Sequence, residues 1–172
     1  MLEQHRFIMA MEQAIITWIH LVSASIWVGG SLFIGVVISP LLRTMSTSLE
    51  ERLQFMIKVG RRFNKIAIPS LIILIGTGIY NSIAFLNKPD LLFSSSYGNF
   101  LIVKIILVVA LILAYAIHVR IIRKDVEEKI ISKQLSDNQI QKLRKKIIIL
   151  GEVTIILSVA VLFMAALLDA GA

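Results

Sequence analysis

Four long apolar stretches constrain this chain more than any other feature of its sequence. They cover residues 14–38, 66–86, 100–122 and 147–168, and charged residues are rare within them. A helix needs about 20 apolar residues to cross the hydrocarbon core of a bilayer, and in lipid a helix satisfies all its backbone polar groups within one segment. The sequence therefore predicts an all-α polytopic membrane protein, an antiparallel bundle of four transmembrane helices in which residues 1–172 form a single membrane domain.

Composition agrees with this prediction and removes several classes of function. Hydrophobic residues make up 57% of the chain, whereas soluble domains contain about 45–50%. The chain has no cysteine, which excludes disulfides, thiolate metal ligands and thiol nucleophiles. Its net charge is +7, but the basic residues alternate with acids and lack stacking aromatics, so we expect no nucleic-acid partner. No nucleotide-binding loop or nucleophile triad is present, and whether the chain is an enzyme stays open.

The basic residues are concentrated on one side of the predicted membrane. Of the 18 lysines and arginines, six lie within residues 39–65 and nine lie within residues 120–146. Loops that are rich in these residues stay in the cytoplasm. We therefore expect a multi-pass protein of the plasma membrane, with loops 39–65 and 123–146 in the cytoplasm and both termini outside. The lipid bilayer is the expected partner, and a homo-oligomer or partners in a membrane complex remain open.

Two capping boxes predict that the helices extend into these cytoplasmic loops. Ser136 is followed three residues later by Gln139, and Thr47 is followed three residues later by Glu50. Such pairs satisfy two backbone amides at a helix start. We expect span four to begin near Asp137 and span three to continue past Arg123.

Polar residues fall on one face of each predicted span. Steps of three and four residues along span one join Gln13, Thr17, His20, Ala24, Trp27 and Ser31, and the same steps along span two join Ser70, Thr77 and Asn81. Intramembrane polar residues normally face the bundle interior. The pairs Ser25/Gly29 and Ser31/Gly35 are small residues four apart, which allow another helix to approach closely.

Depth along the helices divides the ionisable residues into two groups. At about 1.5 Å per residue, His20 and Lys104 lie at similar depths in the outer half of the membrane. The predicted outer site contains His20 as a metal or cofactor ligand, with Lys104, Trp27 and Asn81 nearby; the predicted inner polar cluster contains His118, Glu152 and Arg120. Lys104 and His118 are about 20 Å apart along span three, which argues against one haem held by both His20 and His118.

Each ionisable group has more than one interpretation. His20 either hydrogen-bonds another helix or binds a ligand or proton. Lys104 either extends outward to the headgroups or meets an anionic group such as a haem propionate. His118 and Glu152 are expected to form a structural ion pair. Before span one, Met1, His5, Met9 and Met11 provide soft ligands that suit Cu(I).

Several stretches resemble one family of membrane proteins. HLVSASIWVGGSLF in span one, IPSLIILIGTGIY in span two, YGNFLIVKIILVV in span three and LRKKIIILGEVTIILSVAVLFMAALL in span four resemble the copper resistance protein D (CopD) family. One departure is His118-Val119-Arg120, where the family has an asparagine-arginine pair. The resemblance implies the handling or transport of copper ions.

A second resemblance is to the related four-helix membrane protoporphyrinogen oxidase family. That family also has a histidine early in helix one and a lysine in helix three, which correspond to His20 and Lys104, and RRFNKIAIP is similar to its entry to helix two. This resemblance implies binding of haem b or a porphyrin, with His20 as an axial ligand. Copper handling, haem-based redox chemistry and a structural role in a larger membrane complex are the three functions that the sequence leaves open.

Overall fold

The computed structural model describes residues 1–44 and 48–171, in which every regular element is a helix. The α-helices are α1 (Leu2–Ala24), α2 (Gly30–Leu32), α3 (Ser39–Thr44), α4 (Leu49–Leu86), α5 (Pro89–Ser94), α6 (Ser96–Ile121), α7 (Lys124–Ile131) and α8 (Asp137–Asp169). Four segments are long and apolar enough to cross a membrane: Glu3–Leu42, Leu49–Ile83, Ser96–Ile131 and Asp137–Asp169. The predicted all-α polytopic fold is confirmed.

Span one departs from a regular α-helix near its glycines. π-helical turns cover Ser25–Gly29 and Phe33–Ile38, and they join α1, α2 and α3 into one continuous rod. Since a π turn holds more residues than an α turn, the residues after it are rotated relative to a regular helix. Gly30 consequently faces Phe63 of α4, and Gly35 faces Ile155 of α8.

The two predicted small-residue pairs therefore have different environments. Ser31 and Gly35 both line a cavity inside the bundle. Ser25 and Gly29 are exposed, and a Cβ added to Gly29 would meet no atom within 4 Å. The close approach of a neighbouring helix is therefore seen at the Ser31/Gly35 pair.

Helices α4 and α8 each begin at a capping box, whose hydrogen bonds fix the first residue of the helix. Ser136 N donates to Gln139 Oε1 at 2.9 Å, so the predicted box precedes α8. The box before α4 is one residue later than predicted: Glu51 N donates to Ser48 Oγ at 3.2 Å and Ser48 N donates to Glu51 Oε2 at 3.1 Å. Thr47 of the predicted box lies outside the described residues.

Span three does not continue unbroken past Arg123. Helix α6 ends at Ile121, Arg123 has an extended backbone, and α7 starts at Lys124 as a separate short helix. Helix α7 packs on α4, where buried Glu127 forms ion pairs with Lys58 at 3.8 Å and with Arg61 at a shorter distance. The predicted helical extension past Arg123 is present as α7, but a break in the helix at Ile122 and Arg123 separates it from α6.

Packing within the bundle leaves a large apolar outer surface. Helix α6 packs mainly on α8, and α1 packs mainly on α4. One buried cluster lies at the basic end of the bundle, which we define as the end that carries residues 49–65 and 123–146; its members are Leu53, Ile57, Ile122, Ile130, Ile140 and Ile147. Side chains such as Trp18, Ile72 and Phe163 are more than half exposed on the outside. Exposed apolar area of this extent marks a surface that contacts lipid.

Candidate functional site

Two partly open cavities lie in the bundle, one after the other along its axis. The first has a volume of about 330 Å³ and contains His20; the second has a volume of about 120 Å³ and contains His118. We call them the His20 cavity and the His118 cavity. Along α6, Leu101 to Ile112 line the first, and Tyr115 to Ile122 line the second. The second cavity is therefore nearer the basic end.

A hydrogen bond with span two fixes the orientation of His20. His20 Nδ1 lies 2.6 Å from Thr77 Oγ1, and the Thr77 hydroxyl donates to the Ile73 carbonyl at 2.7 Å. A hydroxyl has one proton to donate. We assign that proton to the Ile73 carbonyl, so that the imidazole N–H at Nδ1 is the donor to Thr77. In the neutral ring the lone pair is then on Nε2.

This hydrogen bond reconciles the two interpretations of His20. Histidines that bind metals usually donate their other ring N–H to an oxygen acceptor, which fixes the tautomer and the ring orientation. Thr77 is such an acceptor for His20. The bond across the bundle therefore leaves Nε2 of His20 available for a ligand.

Lys104 lines the same cavity as His20, as the sequence predicted, and it is half-buried there. Among the described residues, no aspartate or glutamate lines this cavity. The walls are otherwise largely apolar, with Leu74, Val108 and Leu162 among them. An ammonium at Lys104 therefore repels any cation bound at His20, and in an apolar surrounding this repulsion is stronger than in water.

The two other residues predicted for this site have different positions. Trp27 lines the His20 cavity. Asn81 is exposed, is not among the residues that line the cavity, and accepts a hydrogen bond from Gln13 Nε2 at 3.1 Å. Asn81 thus joins spans one and two beyond the cavity, and Gly78 and Ser82 line the cavity from that helix instead.

An aromatic pair connects the wall of one cavity to the wall of the other. The Trp27 ring meets Tyr115 edge to face, with centroids 4.7 Å apart and an angle of 76°. Trp27 lines the His20 cavity and Tyr115 lines the His118 cavity. We call these two residues the aromatic partition.

Hydrogen bonds to two other helices, α8 and α4, hold the partition in place. Trp27 Nε1 donates to Ser158 Oγ at 3.0 Å, and Ser158 donates to the Thr154 carbonyl at 2.7 Å. The Tyr115 hydroxyl donates to Asn64 Oδ1 at 2.7 Å. Trp27 is only 2% exposed, so its single N–H donor is satisfied inside the bundle, as buried tryptophans require.

The His118 cavity brings together an imidazole, a thioether and a carboxylate. His118, Met56 and Glu152 all line it, together with Asn64 and Tyr115. His118 Nδ1 is buried and has no hydrogen-bond partner within the part of the chain that the structure describes. This histidine is therefore unsatisfied, in contrast to His20.

The predicted inner polar cluster of His118, Glu152 and Arg120 is only partly assembled. Glu152 lines the cavity with His118, but among the described ion pairs none joins the two, so the expected ion pair is not formed. The physical reason is that the Glu152 side chain is in an exposed position, whereas the His118 ring lies against Gly151. Arg120 is exposed and is not among the residues that line the cavity.

Two functional neighbours were missed in the sequence. Thr77 was on the predicted polar face of span two, but nothing in the sequence identified it as the partner of His20. Met56 and Gly60 are four residues apart on α4 and both line the His118 cavity. Residues 1–44 and 48–171 contain no group of three or more His, Cys, Asp or Glu side chains that could hold a metal ion.

Comparison with known proteins identifies the family. The family model of copper resistance protein D (CopD) matches residues 57–168, which is more than half of the chain. The chain belongs to the CopD family. The match covers α6, α8 and most of α4, and His20 lies before it.

A curated relative of this CopD-family chain is the copper transport protein CutJ of Bacillus subtilis (strain 168). The two are 32% identical over 107 residues, which is 62% of this chain and 19% of CutJ. The chain thus spans about a fifth of the length of that relative. No solved structure matches the chain.

Proposed function

We propose that this CopD-family chain moves copper ions through the membrane, with His20 as the ligand that first receives the ion inside the bundle. Family membership and the similarity to a copper transport protein support a copper-related function. The observation that carries the proposal is the bond from His20 Nδ1 to Thr77, which leaves Nε2 of a fixed imidazole available in an intramembrane cavity. Imidazole nitrogen is a good ligand for copper.

Lys104 fits a site that must also release its ion. Conduction requires binding that is strong enough for entry and weak enough for exit. The lysine lines the cavity beside His20, where its charge opposes a bound cation. We infer that Lys104 keeps copper binding at His20 weak and transient.

The first residues of α1 supply donors at the end of the bundle opposite the basic end. Helix α1 starts at Leu2, so Met1, His5 and Met9, spaced four residues apart, follow one face of the helix, while Met11 lies on another face. Met1, His5 and Met9 are exposed. Soft thioether and imidazole ligands suit Cu(I). The excess of basic residues in loops 39–65 and 123–146 supports cytoplasmic loops and external termini, which makes this row an entry point and the basic end the exit.

The test is copper transport into vesicles. The full chain is reconstituted with a copper-sensitive dye inside, and wild type is compared with His20→Gln, whose amide can still donate to Thr77 but which lacks the imidazole ligand. We expect at least a tenfold loss of the transport rate, because the ligand is removed while the hydrogen bond is kept. Ser25→Ala is the matched control, since its hydroxyl bonds only the carbonyl of Leu21 in its own helix. Equal rates for wild type and His20→Gln would overturn the proposal.

A haem-binding redox protein is the second candidate function. The observation in its favour is that His20 and Lys104 share one apolar cavity. His20 Nε2 would bind the haem iron and Lys104 would pair with a propionate; the bound haem b would supply one-electron redox chemistry. The optical spectrum of protein purified from haem-replete cells separates the two candidates. A Soret band that is lost in His20→Gln supports haem, and a preparation without that band supports copper.

A further inference from the structure

We propose that the His118 cavity is a second copper site, in which the His118 imidazole and the Met56 thioether are the principal donors. This inference rests on the proposed function for the identity of the ion. It concerns a separate cavity, on the other side of the aromatic partition from His20.

The unsatisfied nitrogen of His118 is the first argument. Nδ1 is buried, and no group within residues 1–44 and 48–171 forms a hydrogen bond with it. Buried polar side-chain atoms almost always have a partner, and the exceptions are frequent where a group serves an ion or a reaction. The cavity that His118 lines has a volume of about 120 Å³, which is room for an ion with water. A metal ion on Nδ1 would satisfy this atom.

The chemistry of the donor set is the second argument. Imidazole and thioether ligands together favour copper, whereas Mg²⁺ and Ca²⁺ take oxygen ligands. Met56 and His118 line the cavity from α4 and α6, and Glu152 lines it from α8. The exposed Glu152 contributes a negative charge to the wall of this cavity.

The order of charges along the axis is the third argument. The His20 cavity holds a lysine and no described carboxylate, whereas the His118 cavity holds a glutamate and no described lysine or arginine. A cation is therefore opposed in the first cavity and attracted in the second. This gradient favours movement from His20 past the aromatic partition to His118.

The experiment measures the ¹⁵N NMR resonance of His118 Nδ1 directly. The chain has three histidines, so His5→Gln with His20→Gln leaves His118 as the one imidazole in the protein. This double variant, labelled with ¹⁵N in histidine and held in lipid nanodiscs, is titrated with Ag(I) as a diamagnetic substitute for Cu(I). We expect a saturable change in the Nδ1 resonance. The same titration is repeated with wild type and with His118→Gln. The ¹⁵N resonance that is present in wild type and missing in His118→Gln belongs to His118, so its response can be followed without the double variant.

Met56 is tested in the same titration with a matched control. Met56→Leu should weaken Ag(I) binding at His118 at least tenfold, because the thioether donor is lost while the volume is nearly kept. Met164→Leu removes another thioether that is buried in α8 and does not line this cavity, so its affinity should equal that of the parent protein.

Two results would overturn the inference: an Nδ1 resonance that does not respond to Ag(I), or equal affinities in Met56→Leu and Met164→Leu. Its failure is distinguishable from that of the proposed function. If His20→Gln abolishes copper transport while His118 ignores Ag(I), the second site alone is wrong. If His20→Gln transports copper normally while His118 binds Ag(I), the second site stands and the role of His20 is wrong.

Discussion

The two half-buried histidines occupy similar positions in the fold, but their surroundings differ. Each ring lies against a glycine on a neighbouring helix: a Cβ on Gly78 would be 3.6 Å from His20 Cε1, and a Cβ on Gly151 would be 3.7 Å from His118 Cε1. His20 Nδ1 donates to Thr77, whereas His118 Nδ1 has no partner in the described chain. A hydrogen bond therefore already orients the ring of His20, whereas Nδ1 of His118 is unsatisfied among the described residues.

This difference shows that the neighbouring helix determines what a buried histidine can do. A hydroxyl on span two fixes the tautomer of His20 before any ligand arrives. No side chain on span four does this for His118, so a ligand there would itself supply the missing interaction. The charged neighbours differ as well, with Lys104 in one cavity and Glu152 in the other.

The most disruptive test of this comparison removes the ring that keeps the cavities separate. Trp27→Ala deletes a side chain that is 2% exposed, together with its N–H bond to Ser158. Replacing a buried aromatic residue by alanine costs about 3–5 kcal/mol, so we expect a large fall in the melting temperature of the purified protein. The two cavities would also merge, and vesicles containing this variant should leak ions that wild type excludes.

Trp18→Ala is the control for this change, because Trp18 is 65% exposed on the outer surface of the same span. We expect its stability to change by only about 0.5 kcal/mol. If the two tryptophan variants melt at the same temperature and hold the same ions, the aromatic partition does not separate the cavities.

An ion pair stabilises the basic end of the bundle, which is the end nearer the His118 cavity. The His20 cavity has largely apolar walls instead. Glu127 is 5% exposed in α7 and pairs with Lys58 and Arg61 of α4. In Glu127→Ala these cations lose their partner, and we expect a loss of about 2–3 kcal/mol, since hydrogen bonds to charged groups contribute this much and breaking a buried pair is costly.

Glu128→Ala on the same helix is the matched control. Its carboxylate pairs with Lys124 at 3.4 Å, but both side chains are more than 60% exposed. Exposed pairs contribute about 0–1 kcal/mol, so thermal unfolding should scarcely change. A Glu128 variant that is as unstable as the Glu127 variant would show that burial of the pair is not what stabilises this end.

Much of the fold could be predicted because each signal is local. Apolar length predicts the spans, and the spacing of Ser136 and Gln139 predicts the start of α8; both depend on residues that are adjacent in sequence. The π turns at Ser25–Gly29 and Phe33–Ile38 could not be predicted in this way. They alter the periodicity of span one by amounts that the sequence of that span does not specify.

The site was predicted in part for the same reason. Depth along a helix follows from counting residues, so Lys104 was correctly placed beside His20. The rotation of one helix against another does not follow from counting. That rotation gives His20 the hydroxyl of Thr77 instead of the amide of Asn81, and it places Met56 in the wall of the cavity that His118 also lines.

The most selective test removes the hydrogen-bond partner of His20 Nδ1, so that this nitrogen is unsatisfied in the same way as Nδ1 of His118. Thr77→Val keeps the shape of the side chain but removes the acceptor of His20 Nδ1–H, which leaves this nitrogen unsatisfied as in His118. We expect a stability loss of about 1 kcal/mol and a loss of copper affinity of about tenfold, since changes to the partner of a metal-binding histidine typically weaken binding 10–100-fold. Ser70→Ala on the same helix is the control, because its hydroxyl bonds only the carbonyl of Ile66. Copper titration of both variants is the measurement. If their copper affinities are equal, the hydrogen bond between His20 Nδ1 and Thr77 does not prepare His20 for its ligand, and the contrast between the two histidines has no functional consequence.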